Sequence, residues 1–427
     1  MADFRPFRGI RYDTAVAGAL DLLICPPYDV ISPEYERALW ERSSHNMVHL
    51  ELAEITGEAA PSRYTAAAQH YARWLSEGVL RRDNEPGYYL LQQRFSHGGG
   101  TFERHNLIGA LRLEEWGNAV LPHEDTGSGP KADRLSLMEA CGANFSPIMG
   151  LVRDEGRLLE TVLNRAIAGA PDVQFAGDDG QQYILWRITD ERAIAAIAEA
   201  VVAQPVYIAD GHHRYETALE YLARRRRDPA AEFVLMSLTD LDDPGLLVLP
   251  YHRVLAGLPL RLLTQVRDRL AQLFVTQPLA LEGGIVGPLE ELIAQEGAAH
   301  PTLGLLGPAD EGPFLLALGN PGLVRRYAPQ GVAAAMQEVE AWVLQEVVLR
   351  PILGDTFADY VTYMHDGEQA MAMVRSGQAQ MAFFLRALPL DRFERLVGAG
   401  VRLPRKSTFF HPKQPSGVVI NPLDNEH

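Results

Sequence analysis

Asp210-Gly211-His212-His213-Arg214 puts an acid, a glycine, two imidazoles and a guanidinium into five consecutive positions. These are groups that bind phosphate, hold a metal or move a proton. Their neighbours say how they would be presented. Pro205 to Ala209 is a short apolar run with the composition of a buried strand. Tyr215, Ala218, Leu219 and Leu222 then fall at i, i+3, i+4 and i+7, one face of a helix. The five residues therefore occupy a strand-to-helix junction, where the helix start offers unpaired N–H groups and the positive end of a macrodipole. A phosphate suits that place. Gly211 lets the backbone approach closely, Arg214 can fork onto phosphate oxygens, and His212 and His213 add donors. Asp210 cannot help an anion directly, so it is expected to hold Mg²⁺ or to orient a histidine. A metal site, a general base, or a ligand-free turn capped by Asp210 would use the same residue types.

A second cluster lies in the Gly- and Pro-bearing loop from Leu121 to Arg134. His123 and Glu124 could form a base and its orienter, or Glu124 could take the proton from an attacking hydroxyl. Lys131 and Arg134 are suited to neutralising a transferring phosphoryl group. The zinc-protease pattern is absent, and Gly98-Gly99-Gly100 is a hairpin tip rather than a phosphate loop, since no Lys-Ser/Thr or helix follows it. Near the start, Pro26 and Pro27 stiffen the segment that carries Tyr28 and Asp29, presenting a phenol and a carboxylate at little ordering cost. Asp29 could equally cap the next helix. Near the other end, Lys406 and Lys413 could contact nucleotide phosphates while Phe409 or Phe410 stacks on a base. His252-Arg253 repeats the His-Arg pair at a strand end; it either closes on the phosphate site or leaves Arg253 to pair with a carboxylate. The basic run Arg224–Arg227 is expected at a helix C-terminus, where positive charge is welcome.

The segment Ile194–Leu222 resembles the phosphate-binding core of the ParB/sulfiredoxin superfamily, and its His-His form is closest to the free serine kinases. The whole chain, through FRPFRG, CPPYDVI, PHEDT, PKADR, IADGHHRYETA and KSTFFHPK, also resembles a prokaryotic family of unknown function. The first resemblance implies a nucleotide-dependent phosphotransferase acting on a small hydroxylated molecule, L-serine first, with ATP or ADP and Mg²⁺. It places nucleotide binding on Asp210, Gly211, His212, His213 and Arg214; Lys131, Arg134, Lys406 and Lys413, read from their residue types, are further candidate phosphate contacts. Glu124, His123, Asp29 and His213 are the candidate catalytic groups, Glu124 before Asp29 as base, and Asp210 is the candidate metal ligand. A free serine kinase has its glutamate shortly before the histidine motif, and this chain has no clear counterpart there. A phosphohydrolase and a ParB-like nucleotide- and DNA-binding module are the alternatives.

The elements that would position these groups read as α/β (α+β): a ParB/sulfiredoxin-like core inside a larger mixed-sheet protein with a helical C-terminal part. The 427 residues are expected to divide into an α+β domain at 1–155, the core at 156–258 and an α/β region at 259–427. Met47–Leu52 alternates like a strand with His49 and Glu51 on one face. Ser32-Pro33 and Ser62 read as helix starts. Tyr88–Phe95 and Ile108–Leu113 form a hairpin, and Leu135 to Ile148 is a helix. Tyr183–Ile188 and Phe233–Leu238 are strands, and Asp190 caps a helix. Long amphipathic helices are expected near Leu260–Phe274 and Val332–Leu349. Hydrophobic residues at 47% and charged residues at 22% describe a globular protein with ample core. A net charge of −16 weighs against a polyanionic partner. Cys25 and Cys141 make no metal-like spacing, and no signal peptide or membrane span is apparent, so a cytoplasmic protein is expected. The oligomeric state is not legible.

Overall fold

The computed structural model describes residues 2–53, 62–126, 129–178, 180–202, 204–225, 228–280, 285–307, 311–328 and 334–424. Gly127 and Ser128 of the Leu121–Arg134 loop, Arg226 and Arg227 of the basic run, and Val332 lie outside them. Two compact units divide the chain: Met1–Leu247 with Pro412–His427, and Val248–His411.

The first unit is built on a nine-stranded mixed sheet. Its strands are β1 (Phe4–Arg5), β2 (Tyr88–His97), β3 (Gly100–Arg112), β4 (Val120–Pro122), β5 (Ile148–Val152), β6 (Val173–Ala176), β7 (Gln182–Ile188), β8 (Val206–Asp210) and β9 (Phe233–Asp240). The order is β4-β8-β5-β9-β3-β2-β7-β6, with β1 on β3. The β4–β8 and β5–β9 pairs are parallel, whereas β8–β5 and β9–β3 are antiparallel. Residues 155 and 156, where a domain boundary was expected, both fall inside this unit, and strands from either side share the sheet.

Successive residues of the central strands feed opposite cores. Tyr89, Leu91, Ile108 and Leu235 join one, and Tyr88, Leu90, Leu107 and Met236 join the other. A sheet apolar on both faces must be covered on both. Helix α1 (Pro33–Arg42) is capped by Ser32, and α2 is Val48–Glu51. Helix α3 (Arg63–Ser76), capped by Ser62, lays Tyr71 and Trp74 on the first face. Helix α4 is Gly129–Cys141, α5 is Glu191–Val202 and α6 is His212–Arg224. Ile197 and Val201 of α5 and Tyr215, Ala218 and Tyr221 of α6 cover the second face. Trp74 and Tyr215 are completely buried, each contributing about 2–3 kcal/mol of apolar burial.

Two sequence expectations need correction here. Met47–Leu52 is not a strand: Asn46 Oδ1 accepts from the Val48 N–H at 3.0 Å and starts the short helix α2. A four-residue helix in which Val48 and Leu50 are both buried reads as alternation, so period alone misled. The helix expected from Leu135 starts earlier, at Gly129, and stops at Cys141.

The second unit is not simply helical. It holds a six-stranded antiparallel sheet of β10 (His252–Leu255), β11 (Phe274–Pro278), β12 (Thr302–Leu306), β13 (Pro313–Leu318), β14 (Val361–Met364) and β15 (Met381–Phe384), ordered β11-β13-β12-β15-β10-β14. Short, continuously apolar strands such as Thr302–Leu306 and Met381–Phe384 are all buried, and such runs cannot be told from helix by periodicity. Helix α7 (Leu260–Leu273) forms as expected. The other long helix begins only at Glu340, and its Val343–Leu349 stretch is wound as a π-helix. No helix among the described residues is long and apolar enough to cross a membrane.

Candidate functional site

The junction between β8 and α6 is shaped by two local departures from regular structure. The register of β8 against β5 slips between Ile208 and Asp210, which re-aims the strand end. Gly211 then takes φ 91°, a left-handed conformation, and serves as the N-cap of α6. A Cβ at Gly211 would stand 3.0 Å from the Arg214 Nε, so the missing side chain is the space through which Arg214 folds back.

Arg214 donates from Nη2 to Asp210 Oδ2 at 2.6 Å and from Nη1 to the carbonyl of Pro147. Lys413, from the segment that rejoins this unit, donates to Asp210 Oδ1. The acid thus bridges two cations. Burial opposes the charge of Arg214, yet Asp210, Asp29, Tyr28 and Glu51 together hold its pKa above the ordinary value. The return segment is itself fastened: the buried Arg104 donates to Gln93 at 2.6 Å and to the Pro412 carbonyl at 2.7 Å, and Gln414 donates to Asn106 at 2.7 Å.

The expected magnesium role of Asp210 does not fit this arrangement. Both its oxygens are engaged by cationic nitrogens, and no group of three or more His, Cys, Asp or Glu is gathered for a metal among the described residues.

His123 and His212 lie edge to face, 4.5 Å between ring centres. Hydrogen-bond logic assigns their tautomers. The His123 backbone N–H donates to His212 Nε2 at 3.2 Å, so the His212 proton belongs on Nδ1, which faces Glu124 Oε1 at 3.7 Å. His123 Nδ1 donates to the Ile208 carbonyl at 2.7 Å. Burial pulls the His123 pKa down against the pull of Glu124. His123 is therefore a neutral, pinned ring, whereas Glu124 is partly open to solvent. His213 is half-buried on the first turn of α6, its carbonyl accepting from Thr217.

Arg134 is immobilised. It donates to Glu51 Oε2 at 2.7 Å, the Glu51 carbonyl at 2.9 Å and Asp133 at 2.8 Å, and lies 4.0 Å over the Tyr28 ring. Tyr28 and Asp29 sit in a single 3-10 turn, Tyr28–Val30, with Asp29 exposed. A small cavity of about 50 Å³ is lined by Tyr28, Glu51, Arg134, Ser146, Arg214 and Thr217. On α6, Glu216 accepts from Lys131 at 2.7 Å and from Thr126. Although burial pushes the Glu216 pKa up, those two donors hold it below the usual range. Lys131 and Glu216 border an open cleft of about 640 Å³ whose other wall includes Trp116; that ring stacks on Tyr215 at 4.3 Å and lies 6.5 Å from His212.

The first unit thus brings together Asp29, His123, Glu124, Arg134, His212, His213, Arg214 and Lys413 around one junction, with Lys131 beside it. Lys406, Phe409 and Phe410 belong to the second unit, as do His252 and Arg253. Sequence reasoning missed Glu51 and Glu216 as the acids that hold Arg134 and Lys131. Glu216 carried a signal, standing four residues after His212 and so on the same helix face.

The chain belongs to the family described as "Protein of unknown function (DUF1015)", which it matches over residues 4–341. The tail block KSTFFHPK lies beyond the matched stretch. No curated protein matches the chain. Among solved structures it is similar to a conserved hypothetical protein from Pyrococcus furiosus, at 15% identity and TM-score 0.36, covering 70% of this chain and 91% of that one. It is also similar to a free serine kinase in complex with AMP, at 14% identity and TM-score 0.37, covering 70% and 88%. SbnI with C-terminal truncation from Staphylococcus aureus aligns at 10% identity and TM-score 0.39, covering 75% and 90%.

Proposed function

We propose that this chain is a nucleotide-dependent phosphotransferase acting on a small hydroxylated metabolite, with residues 194–222 as a ParB/sulfiredoxin-like phosphate-binding core. The observation that carries this reading is the start of α6, where Arg214 and Lys413 converge on Asp210 beside Glu124 and two histidines. The α6 amides and the two cations supply donors and positive charge for a polyphosphate. Asp210 is assigned to hold Arg214 and Lys413 in place rather than to ligate a metal. Trp116 offers a face on which a base can stack, one ring away from His212. Glu124 accepts the proton of the substrate hydroxyl, and His212 Nδ1–H faces that carboxylate at 3.7 Å. Charge on the migrating phosphoryl group falls to Arg214 and Lys413, an electrostatic task. Arg134 and His123 are positioning residues in this scheme. L-serine is the first substrate to try, on the strength of the local motif.

Phosphorus NMR of the full chain with L-serine and either MgATP or MgADP tests it. A phosphomonoester signal that vanishes in Asp210→Ala and His213→Ala is expected. Free phosphate without an ester points instead to a phosphohydrolase. Unchanged nucleotide in both tubes, with no heat of binding by calorimetry, overturns the reading.

A further inference from the structure

Arg253 lies on β10, one strand in from the edge of the second unit's sheet, between β14 and β15, and its side chain has no exposed surface. Nη1 donates to the Tyr251 carbonyl, and the guanidinium lies 4.9 Å from the centre of the Tyr363 ring. Among the described residues, Nε and Nη2 have no hydrogen-bond partner, and no acid is ion-paired with Arg253. Glu340, the carboxylate that shares its cavity, is committed elsewhere: it accepts from Arg386 at 2.7 Å, with both side chains buried. Desolvation pulls the Arg253 pKa down to about 10, which leaves the group protonated at neutral pH.

A guanidinium taken out of water without a counter-charge is strongly unfavourable. Which nitrogens lack partners says what would compensate it. Nε–H and one Nη2–H are parallel and lie on the same edge of the guanidinium plane, the fork that carboxylates and phosphates bind with two oxygens. Arg253 lines a narrow cavity, about 10 Å³, with Pro250, Tyr251, Glu340, Arg386 and Ser407. Its volume is about that of a single water, so a carboxylate or phosphoryl group seats there only as the lining side chains give way. Ser407 belongs to a tight turn in which its hydroxyl donates to the Pro404 carbonyl at 2.6 Å and Lys406 adopts a left-handed φ of 59°. Lys406 also stands 5.0 Å over the Tyr251 ring, adding a second cation to the same neighbourhood.

We propose that the second unit carries an oxyanion site in which the Nε/Nη2 edge of Arg253 receives a carboxylate or phosphoryl group entering between Arg386 and Ser407. It is separate from the phosphotransferase reading and does not depend on it. Calorimetry on the full chain carrying Arg214→Met, which removes a phosphate-contacting cation from the first unit, measures binding of inorganic phosphate and, in a parallel arm, acetate. Heat with one of the two anions is expected, and adding Arg253→Met should weaken that binding by about tenfold or more. Phosphate alone identifies a phosphorylated ligand and acetate alone a carboxylated one. Arg253→Lys, which keeps the charge but loses the fork, should weaken binding while leaving the circular dichroism spectrum unchanged, and serves if the Met variant does not fold. Crystals grown with the binding anion should show it within about 3.2 Å of Nε and Nη2. No heat with either anion, heat unaffected by Arg253→Lys, or a water alone at that edge overturns the proposal.

Discussion

The two His-Arg pairs of this chain are written alike and built in opposite ways. His213-Arg214 opens a helix, where Arg214 reaches back over a glycine and finds both an acid and a carbonyl. His252-Arg253 lies inside a strand, where the same guanidinium is buried beside the Tyr363 ring with Nε and Nη2 unpartnered. In the first pair the protein supplies the counter-charge and a ligand would have to compete for it. In the second the ligand is the counter-charge. A dipeptide therefore says less about binding than the element that carries it, because the element decides which partners can reach the side chain.

Removing the charge should separate the two most sharply. Arg214→Met is expected to lower phosphotransfer kcat/KM by about a thousandfold, measured by the phosphorus assay, because the main cation for the migrating phosphoryl group is gone. Arg253→Met in anion-free buffer should instead leave stability unchanged or raise it by about 1–4 kcal/mol, as replacing an uncompensated buried charge by an apolar isostere often does. A drop of that size on urea unfolding would mean that Arg253 is already compensated. Next comes the support beneath the first pair. Glu51→Ala removes one of the two carboxylates that hold the buried Arg134 and should destabilise the first unit by about 1–3 kcal/mol in the same measurement. Gly211→Ala forces a left-handed alanine against the Arg214 guanidinium, and a loss of about 1–2 kcal/mol is expected.

The pH response follows from His123. Its folded pKa lies below the unfolded value of 6.5, so the unfolded chain binds the extra proton. Stability should be complete above about pH 6.5 and fall as pH drops below it, by at most about 1.4 kcal/mol per pH unit. His123→Gln should remove that component of the slope. The smallest effect belongs to Lys131, whose partly exposed pair with Glu216 is worth less than about 1 kcal/mol. If Lys131→Met cuts turnover far more than it shifts stability, the cleft beside Trp116 takes part in the chemistry.

Much of the first unit was readable because its signals are local. The strand, the glycine and the helix around residue 210 announce themselves by apolar run, backbone freedom and 3.6 periodicity, and Ser32, Ser62 and Asp190 stand where helix caps should. What could not be read is anything set by long-range pairing. Nothing in the sequence joins Lys413 to Asp210, a separation of 203 residues, or Arg134 to Glu51 across 83. The same blindness assigned Lys406 and Lys413 one role, although the chain passes from one unit to the other between them. Central strands of the second unit, such as Thr302–Leu306 and Met381–Phe384, were hidden for a different reason: buried on both faces, they lack the alternation that marks a strand. Asp210 was expected to hold Mg²⁺ or to orient a histidine, and the partners its two oxygens have in the fold, Arg214 and Lys413, include one that no local pattern could supply.

The interruption of the first unit also sets a clock. The chain leaves that unit after Leu247 and rejoins it at Pro412, so Asp210, Gly211 and Arg214 are translated long before Lys413. At ordinary elongation rates a gap of 203 residues is roughly ten to forty seconds. During that interval the nascent junction has one cation where the finished protein has two, and the return segment that Arg104 and Asn106 grip does not yet exist. Nascent chains stalled before residue 412 should bind phosphate more weakly than released ones.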